Sequence, residues 1–140
     1  MGRETAPEVR PLTRYLLDTH SLLWWWTNAD RLSVGVHELI ESGAEPIVVS
    51  AASIWEIAIK TASGKLDAIE DFQRDYRPLM AQNGFETLPM TDEHALTAGF
   101  LPGPHRDPFD RMIAAQALIE SLTVITRDKQ LAGFGCRTIW

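Results

Sequence analysis

Short β-branched runs alternate with helical stretches along most of this chain, and this alternation is the feature that most constrains its fold. Parallel strands need crossover connections of about a dozen residues or more, which are usually helices. The alternation therefore predicts an α/β fold with three layers, in which a mostly parallel β-sheet is flanked by helices. The predicted strands are residues 14–18, 46–50, 85–88, 122–126 and 136–139.

The predicted helices carry recognisable start and stop residues. Ser33 caps one helix and Gly43 ends it, as expected from the preferences of these residues at helix termini. Apolar residues at helical spacing predict another helix over residues 68–83, which ends at Gly84. Pro108 suits the first position of the helix that follows it.

Composition predicts one cytoplasmic domain. The chain has 140 residues, of which 45% are hydrophobic and 23% charged, as in an ordinary globular domain. We expect residues 1–13 to be a flexible leader and residues 14–140 to be a single domain, because no Gly/Ser-rich linker follows residue 14. The single cysteine, Cys136, has no partner for an intrachain disulfide and suits a reducing compartment. No apolar run approaches membrane-spanning length, so no membrane attachment is expected.

Two acidic residues follow predicted strands. Asp18 comes directly after an apolar run, and Asp128 follows residues 124–126 after one intervening residue. Ligands of open parallel sheets bind beyond the carboxyl ends of the strands, which favours a shared site for both carboxylates. The alternative is that each Asp only caps the helix after it.

Glu56 is a third candidate because apolar residues surround it in a helix that starts directly after a strand. The first turns of such a helix overhang the carboxyl edge of the sheet. The alternative is an exposed ion pair with Lys60, four residues later, which contributes only about 0.2–0.5 kcal/mol.

Asp107 and Asp110 lie on either side of Pro108 and Phe109. Asp107, just before a proline at the first helical position, is predicted to be the helix N-cap and is an auxiliary site candidate. Asp110 begins the apolar stripe that must pack on the sheet, so we assign it to the site. The alternative for Asp110 is a favourable interaction with the helix dipole.

These four acids, Asp18, Glu56, Asp110 and Asp128, predict a divalent-metal site. Clustered carboxylates raise one another's pKa unless a cation lies among them. The candidate ligands are oxygens and no Cys/His pair has zinc spacing, so Mg²⁺ is expected, with Mn²⁺ able to substitute. Such ions activate water for phosphodiester hydrolysis. The net charge of −6 speaks against a protein that binds nucleic acid by covering phosphates with Lys and Arg.

The histidines and tryptophans give two further expectations. His20 and His105 neighbour the acids and are candidates for substrate contact, whereas His37 and His94 are predicted to lie on the surface. Consecutive helical residues point about 100° apart. At least one tryptophan in the run 24–26 should therefore be exposed and available to contact a second protein chain.

With these residues in hand, the chain resembles the PIN-domain ribonucleases, and most closely the VapC-type toxins of bacterial toxin–antitoxin pairs. The resemblance covers about residues 14–140 and implies a PIN-like nuclease domain that cleaves RNA with Mg²⁺, a cognate VapB-like antitoxin and a homodimer. The family acids fall on the same four acids, and family hydroxyl positions match Thr126 and Thr19. The matching segments are LLDTHSLLWW, VVSAASIWEIAIK, HRDPFDRMIAAQA and VITRDKQL.

Two other classes remain open at the level of sequence. A receiver-like or aspartyl-phosphate domain also uses an Asp at a strand end with Mg²⁺. However, Asp18-Thr19-His20 lacks the nearby second acid that such sites commonly have, and Glu56 would have no role. The other class is a non-catalytic interaction module in which the acids only cap helices.

Overall fold

The computed structural model describes residues 13–140, so the predicted leader lies outside the described residues except for Thr13. Within residues 13–140, five strands form one sheet in the order β3-β2-β1-β4-β5. Every pairing between neighbouring strands is parallel. The strands are β1 (Tyr15–Leu17), β2 (Ile47–Ser50), β3 (Glu86–Leu88), β4 (Thr123–Ile125) and β5 (Thr138–Ile139).

Helices connect the strands, as parallel pairing requires. A short 3₁₀ turn, Ala29–Arg31, lies between the first two of them. The α-helices are α1 (Thr19–Thr27), α2 (Val34–Ser42), α3 (Ala51–Ala62), α4 (Phe72–Asn83), α5 (Asp92–Phe100), α6 (Pro108–Glu120) and α7 (Lys129–Gly133).

The sheet has a hydrophobic core on each face, because successive strand residues point to opposite sides. These two cores confirm the predicted three-layer α/β arrangement. One core joins the sheet to α6 and α7 through Leu16, Val48, Val124, Ile113, Ala114 and Leu131. The other joins it to α1, α2, α3 and α4 through Leu17, Val49, Ile125, Leu22, Val36, Ile57 and Phe72.

Helix and strand boundaries differ from the prediction near α4. The helix expected over residues 68–83 begins at Phe72, because the carboxylate of Asp71 caps it by accepting from the N–H of Arg74. At its other end Gly84 adopts a left-handed φ of 66°. The N–H of Phe85 then bonds back to the carbonyl of Met80, so β3 starts one residue later than predicted.

The expectation of an exposed tryptophan in the run 24–26 is met only in part, since each of the three side chains is partly buried and partly exposed. Trp24 packs edge-on against Trp140, with ring centroids 5.8 Å apart. Trp25 packs in the same way against His37 of α2. Trp26 donates from Nε1 to Oδ1 of Asn83 in α4 at 2.9 Å. Consecutive residues of α1 point in different directions, but each of the three tryptophans finds a packing or hydrogen-bond partner.

His94 is not a surface residue as predicted, because its side chain is only 1% exposed. Nδ1 accepts from the N–H of Thr91, and Nε2 lies 2.9 Å from Oε1 of Glu120. This ring joins the start of α5 to the end of α6.

Among residues 13–140, no helix combines the length and apolar character needed to cross a membrane.

Candidate metal centre

Asp18 lies at the carboxyl end of the central strand and is 5% exposed. Its Oδ1 accepts from the N–H of Ser21 at 2.8 Å, so it caps α1. Its Oδ2 accepts from the hydroxyl of Thr126, which follows the neighbouring strand β4. Asp18 is thus a helix cap and at the same time a buried carboxylate at the edge where a ligand is expected.

Thr126 connects the first and last of the predicted acids. Its hydroxyl donates to Asp18 and accepts from the N–H of Asp128 at 2.9 Å. The carboxylate of Asp128 caps α7 by accepting from the N–H of Gln130. Asp18 and Asp128 also line one cavity of about 230 Å³, together with His20, Trp24 and Arg127.

Asp110 meets Asp128 and His105 at the same edge of the sheet. Each of these three residues offers a ligand atom, and the three atoms lie within 4.8 Å of one another. Nε2 of His105 is 2.7 Å from Oδ2 of Asp110. Burial raises the pKa of the Asp110 carboxyl, His105 opposes this shift, and the negative charges of Asp107 and Asp128 add to it.

Asp107 adopts the predicted N-cap position. Its Oδ1 accepts from the N–H groups of Phe109 and Asp110, at 2.9 and 3.0 Å. Its side chain is therefore used by the helix terminus, while Asp110 reaches the ligand cluster.

Glu56 is 7% exposed, but Lys60 holds its Oε2 at 2.8 Å. Both hypotheses for Glu56 therefore apply in part. Its carboxylate is buried, as expected of a site residue, and it is also paired with Lys60. Glu56 is not one of the three residues whose ligand atoms lie within 4.8 Å of one another. The hydroxyl of Thr19 donates to Oγ of Ser53 and links α1 to α3.

Sequence reasoning considered His105 only as a substrate contact. The available signal was its place two residues before the N-cap Asp107, in a segment that leads directly into the helix carrying Asp110. That signal is weak, because the direction of the His105 side chain depends on how the loop that carries it, residues 101–107, folds.

The cluster fits a divalent cation by its donor chemistry. Two carboxylates and an imidazole are common metal ligands. Burial is the main cause of the raised pKa of Asp110, and a cation would relieve the repulsion from Asp107 and Asp128 that adds to it. The nitrogen departs from the all-oxygen ligand set that the sequence predicted, since hard Mg²⁺ favours oxygen.

A family model described as the PIN domain matches residues 15–135 of the chain. The chain belongs to the PIN-domain family. This PIN domain is 30% identical over 128 residues to Ribonuclease VapC22 of Mycobacterium tuberculosis, a match that covers 86% of the chain and 91% of that relative.

The PIN domain also matches solved structures in fold. A DNA-bound VapBC from Salmonella typhimurium has a TM-score of 0.69 at 19% identity, covering 91% of this chain and 98% of that one. FitAcB from Neisseria gonorrhoeae has a TM-score of 0.62 at 21% identity, covering 90% and 96%. These likenesses concern the fold, and they confirm the predicted PIN-like architecture.

Proposed function

We propose that this PIN domain is a metal-dependent endoribonuclease and the toxin of a VapBC-type toxin–antitoxin pair. The observation that carries the proposal is the meeting of Asp110 and Asp128 with a third ligand, with Asp18 linked to Asp128 through Thr126. This geometry occurs in a chain 30% identical to a protein named as a ribonuclease.

In this proposal Asp18, Glu56, Asp110 and Asp128 hold Mg²⁺, for which Mn²⁺ can substitute. A cation held there would supply an activated water and a positive charge at the leaving oxygen of the phosphodiester. Thr126 is an auxiliary residue that orients Asp18, and Thr19 is one that fixes the start of α1 against α3. Asp107 acts through the N-terminus of α6.

RNA is the proposed substrate, although the chain carries a net charge of −6. The cation and nearby Arg127 would attract the phosphate where the carboxylates alone would repel it. Cytoplasmic location is part of the proposal and agrees with the free, buried thiol of Cys136.

A VapB-like antitoxin and a second copy of the chain are the proposed protein partners. The relatives in fold include a VapBC complex, which suggests the antitoxin. The homodimer is supported by large apolar side chains left exposed on two helices, namely Trp55 and Ile59 on α3 and Leu96 and Phe100 on α5.

The deciding experiment incubates the purified protein with a mixed-sequence single-stranded RNA in Mg²⁺ and in EDTA. We expect cleavage only with Mg²⁺, and none with the Asp18→Asn variant, which retains the shape of the side chain but lacks its charge. Wild-type protein that leaves this RNA intact with Mg²⁺ and with Mn²⁺ would favour the non-catalytic module. Incorporation of phosphate from a phosphodonor at Asp18 would favour the receiver-like domain.

A further inference from the structure

We propose that His105 contributes a ring nitrogen to the divalent-metal site, and that this nitrogen makes the site favour transition-metal ions such as Mn²⁺ over Mg²⁺. The inference rests on the proposed function, since it concerns the same site. It adds His105 to the four proposed acidic ligands and predicts how the affinity of the site for Mn²⁺ compares with its affinity for Mg²⁺.

The three side chains lie close together at one site. Nε2 of His105 lies 2.7 Å from Oδ2 of Asp110, and both residues have an atom within 4.8 Å of a carboxylate oxygen of Asp128. Neighbouring ligands of an octahedral ion with bonds of about 2.1 Å are separated by about 3 Å. In the metal-free protein this contact is a hydrogen bond, and its length is close to the separation that one ion would impose on the two ligand atoms.

The structure also holds the imidazole in place. The side chain is 22% exposed and packs against the ring of Phe134, with centroids 5.9 Å apart. Arg111 lies over the same Phe134 ring and donates from Nη1 to the carbonyl of Leu101 at 2.9 Å. The loop that carries His105 is thus tied to α6 by Arg111 at its start and by the Asp107 cap at its end.

Ligand chemistry links this nitrogen to ion preference. Mg²⁺ favours an octahedral shell of oxygens and loses water reluctantly. Imidazole is a common ligand of transition metals, and affinity for nitrogen-containing sites rises from Mn²⁺ towards the later ions of the series. The ratio of Mn²⁺ affinity to Mg²⁺ affinity should therefore be larger when His105 is in the site than when it is absent.

The test compares wild type with His105→Gln, whose amide oxygen replaces the nitrogen, and with His37→Gln as the matched control. His37 pairs with Glu41 on α2 and packs against Trp25, and neither partner is a candidate ligand. Calorimetric titration with Mn²⁺ and with Mg²⁺ measures the affinity ratio. Pulsed electron paramagnetic resonance of bound Mn²⁺ detects a directly bonded ¹⁴N.

We expect ¹⁴N coupling in wild type and in His37→Gln, and its loss in His105→Gln. The Mn²⁺/Mg²⁺ affinity ratio should fall at least about tenfold in His105→Gln, because the lost nitrogen stabilises bound Mn²⁺ more than bound Mg²⁺. Bound Mn²⁺ without ¹⁴N coupling in wild type, or an unchanged ratio in His105→Gln, would overturn the inference.

Cleavage of the mixed-sequence RNA separates this failure from failure of the proposed function. If wild type cleaves RNA and Asp18→Asn does not, but ¹⁴N coupling is absent, only the role of His105 is lost. If wild type binds neither ion, the inference and the proposed function both fail.

Discussion

The hydroxyl of Thr126 donates a hydrogen bond to Oδ2 of Asp18, across two neighbouring strands and a separation of 108 positions in the chain. The same hydroxyl accepts from the N–H of Asp128. One threonine therefore sets the orientation of a buried carboxylate and the start of the segment that carries a second one.

Replacement of Thr126 by Val should disturb both carboxylates with little change in side-chain shape. Loss of a buried hydroxyl that bonds a carboxylate costs about 1–3 kcal/mol in the free energy of unfolding. Metal affinity should fall about tenfold or more, because groups that orient ligands have effects of this size. Urea unfolding and calorimetric titration measure the two effects. Thr126→Ser, which keeps the hydroxyl, is the control and should retain most of both properties.

Asp107 and Asp110 should differ sharply in their contribution to cleavage. Asp110→Asn removes a charged ligand and should lower the rate of RNA cleavage by orders of magnitude. Asp107→Asn should have a far smaller effect, since Asn caps helices about as well as Asp. Rates on the same RNA at saturating Mg²⁺ provide the comparison. Equal losses in the two variants would contradict the division of roles.

The metal-free Asp110→Asn variant should be at least as stable as metal-free wild type at neutral pH. Burial raises the pKa of Asp110, so its stabilising contribution is complete below the unfolded-state value and is lost as pH rises through the folded-state pKa. The advantage of the variant should therefore be largest near neutral pH and shrink as pH falls towards about 4.

Thermal melts in EDTA across this pH range test the expectation, and repeats with Mg²⁺ add the metal response. A cation that binds only the folded protein raises its Tm, and the rise should be smaller for Asp110→Asn. A destabilised variant with the metal response of wild type would mean that Asp110 acts mainly on the helix dipole.

The contact between His94 and Glu120 should support the fold without taking part in cleavage. Nδ1 of His94 accepts from the N–H of Thr91, so Nε2 carries the proton and donates to Glu120. His94→Ala leaves a cavity and unpaired polar groups and should cost at least about 2 kcal/mol of unfolding free energy. Glu120→Gln retains an acceptor and should change it by less than about 1 kcal/mol. Urea unfolding of both variants decides this; an equally large loss in Glu120→Gln would indicate that the charge matters more than the hydrogen bond.

Self-association should depend on the exposed pair on α5. Leu96 and Phe100, four residues apart on one helical face, are 64% and 86% exposed. We expect Phe100→Ser to weaken the homodimer by at least about tenfold in Kd, or about 1.4 kcal/mol. Sedimentation equilibrium measures this constant, with Val34→Ser, an exposed apolar residue on α2, as the control. A monomeric wild type, or an equal effect of Val34→Ser, would contradict the expectation.

The sequence by itself was sufficient for the α/β class, the parallel sheet and the N-cap position of Asp107. These features follow from strand and helix periodicity and from capping preferences, which act over a few residues. The positions of Asp18 and Asp128 after strands were readable for the same reason, and the parallel sheet brings both to one edge.

Only the tertiary structure determines which residues contact His105, His94 and the three tryptophans. The local sequence patterns do not specify these contacts. The meeting of His105 with Asp128, the burial of His94 against Glu120 and the separate partners of the three tryptophans join segments distant in sequence. Each contact depends on strand order and on how the helices pack. A local pattern shows that a side chain is apolar or charged, but the direction in which another helix approaches is determined by the packing of the whole domain.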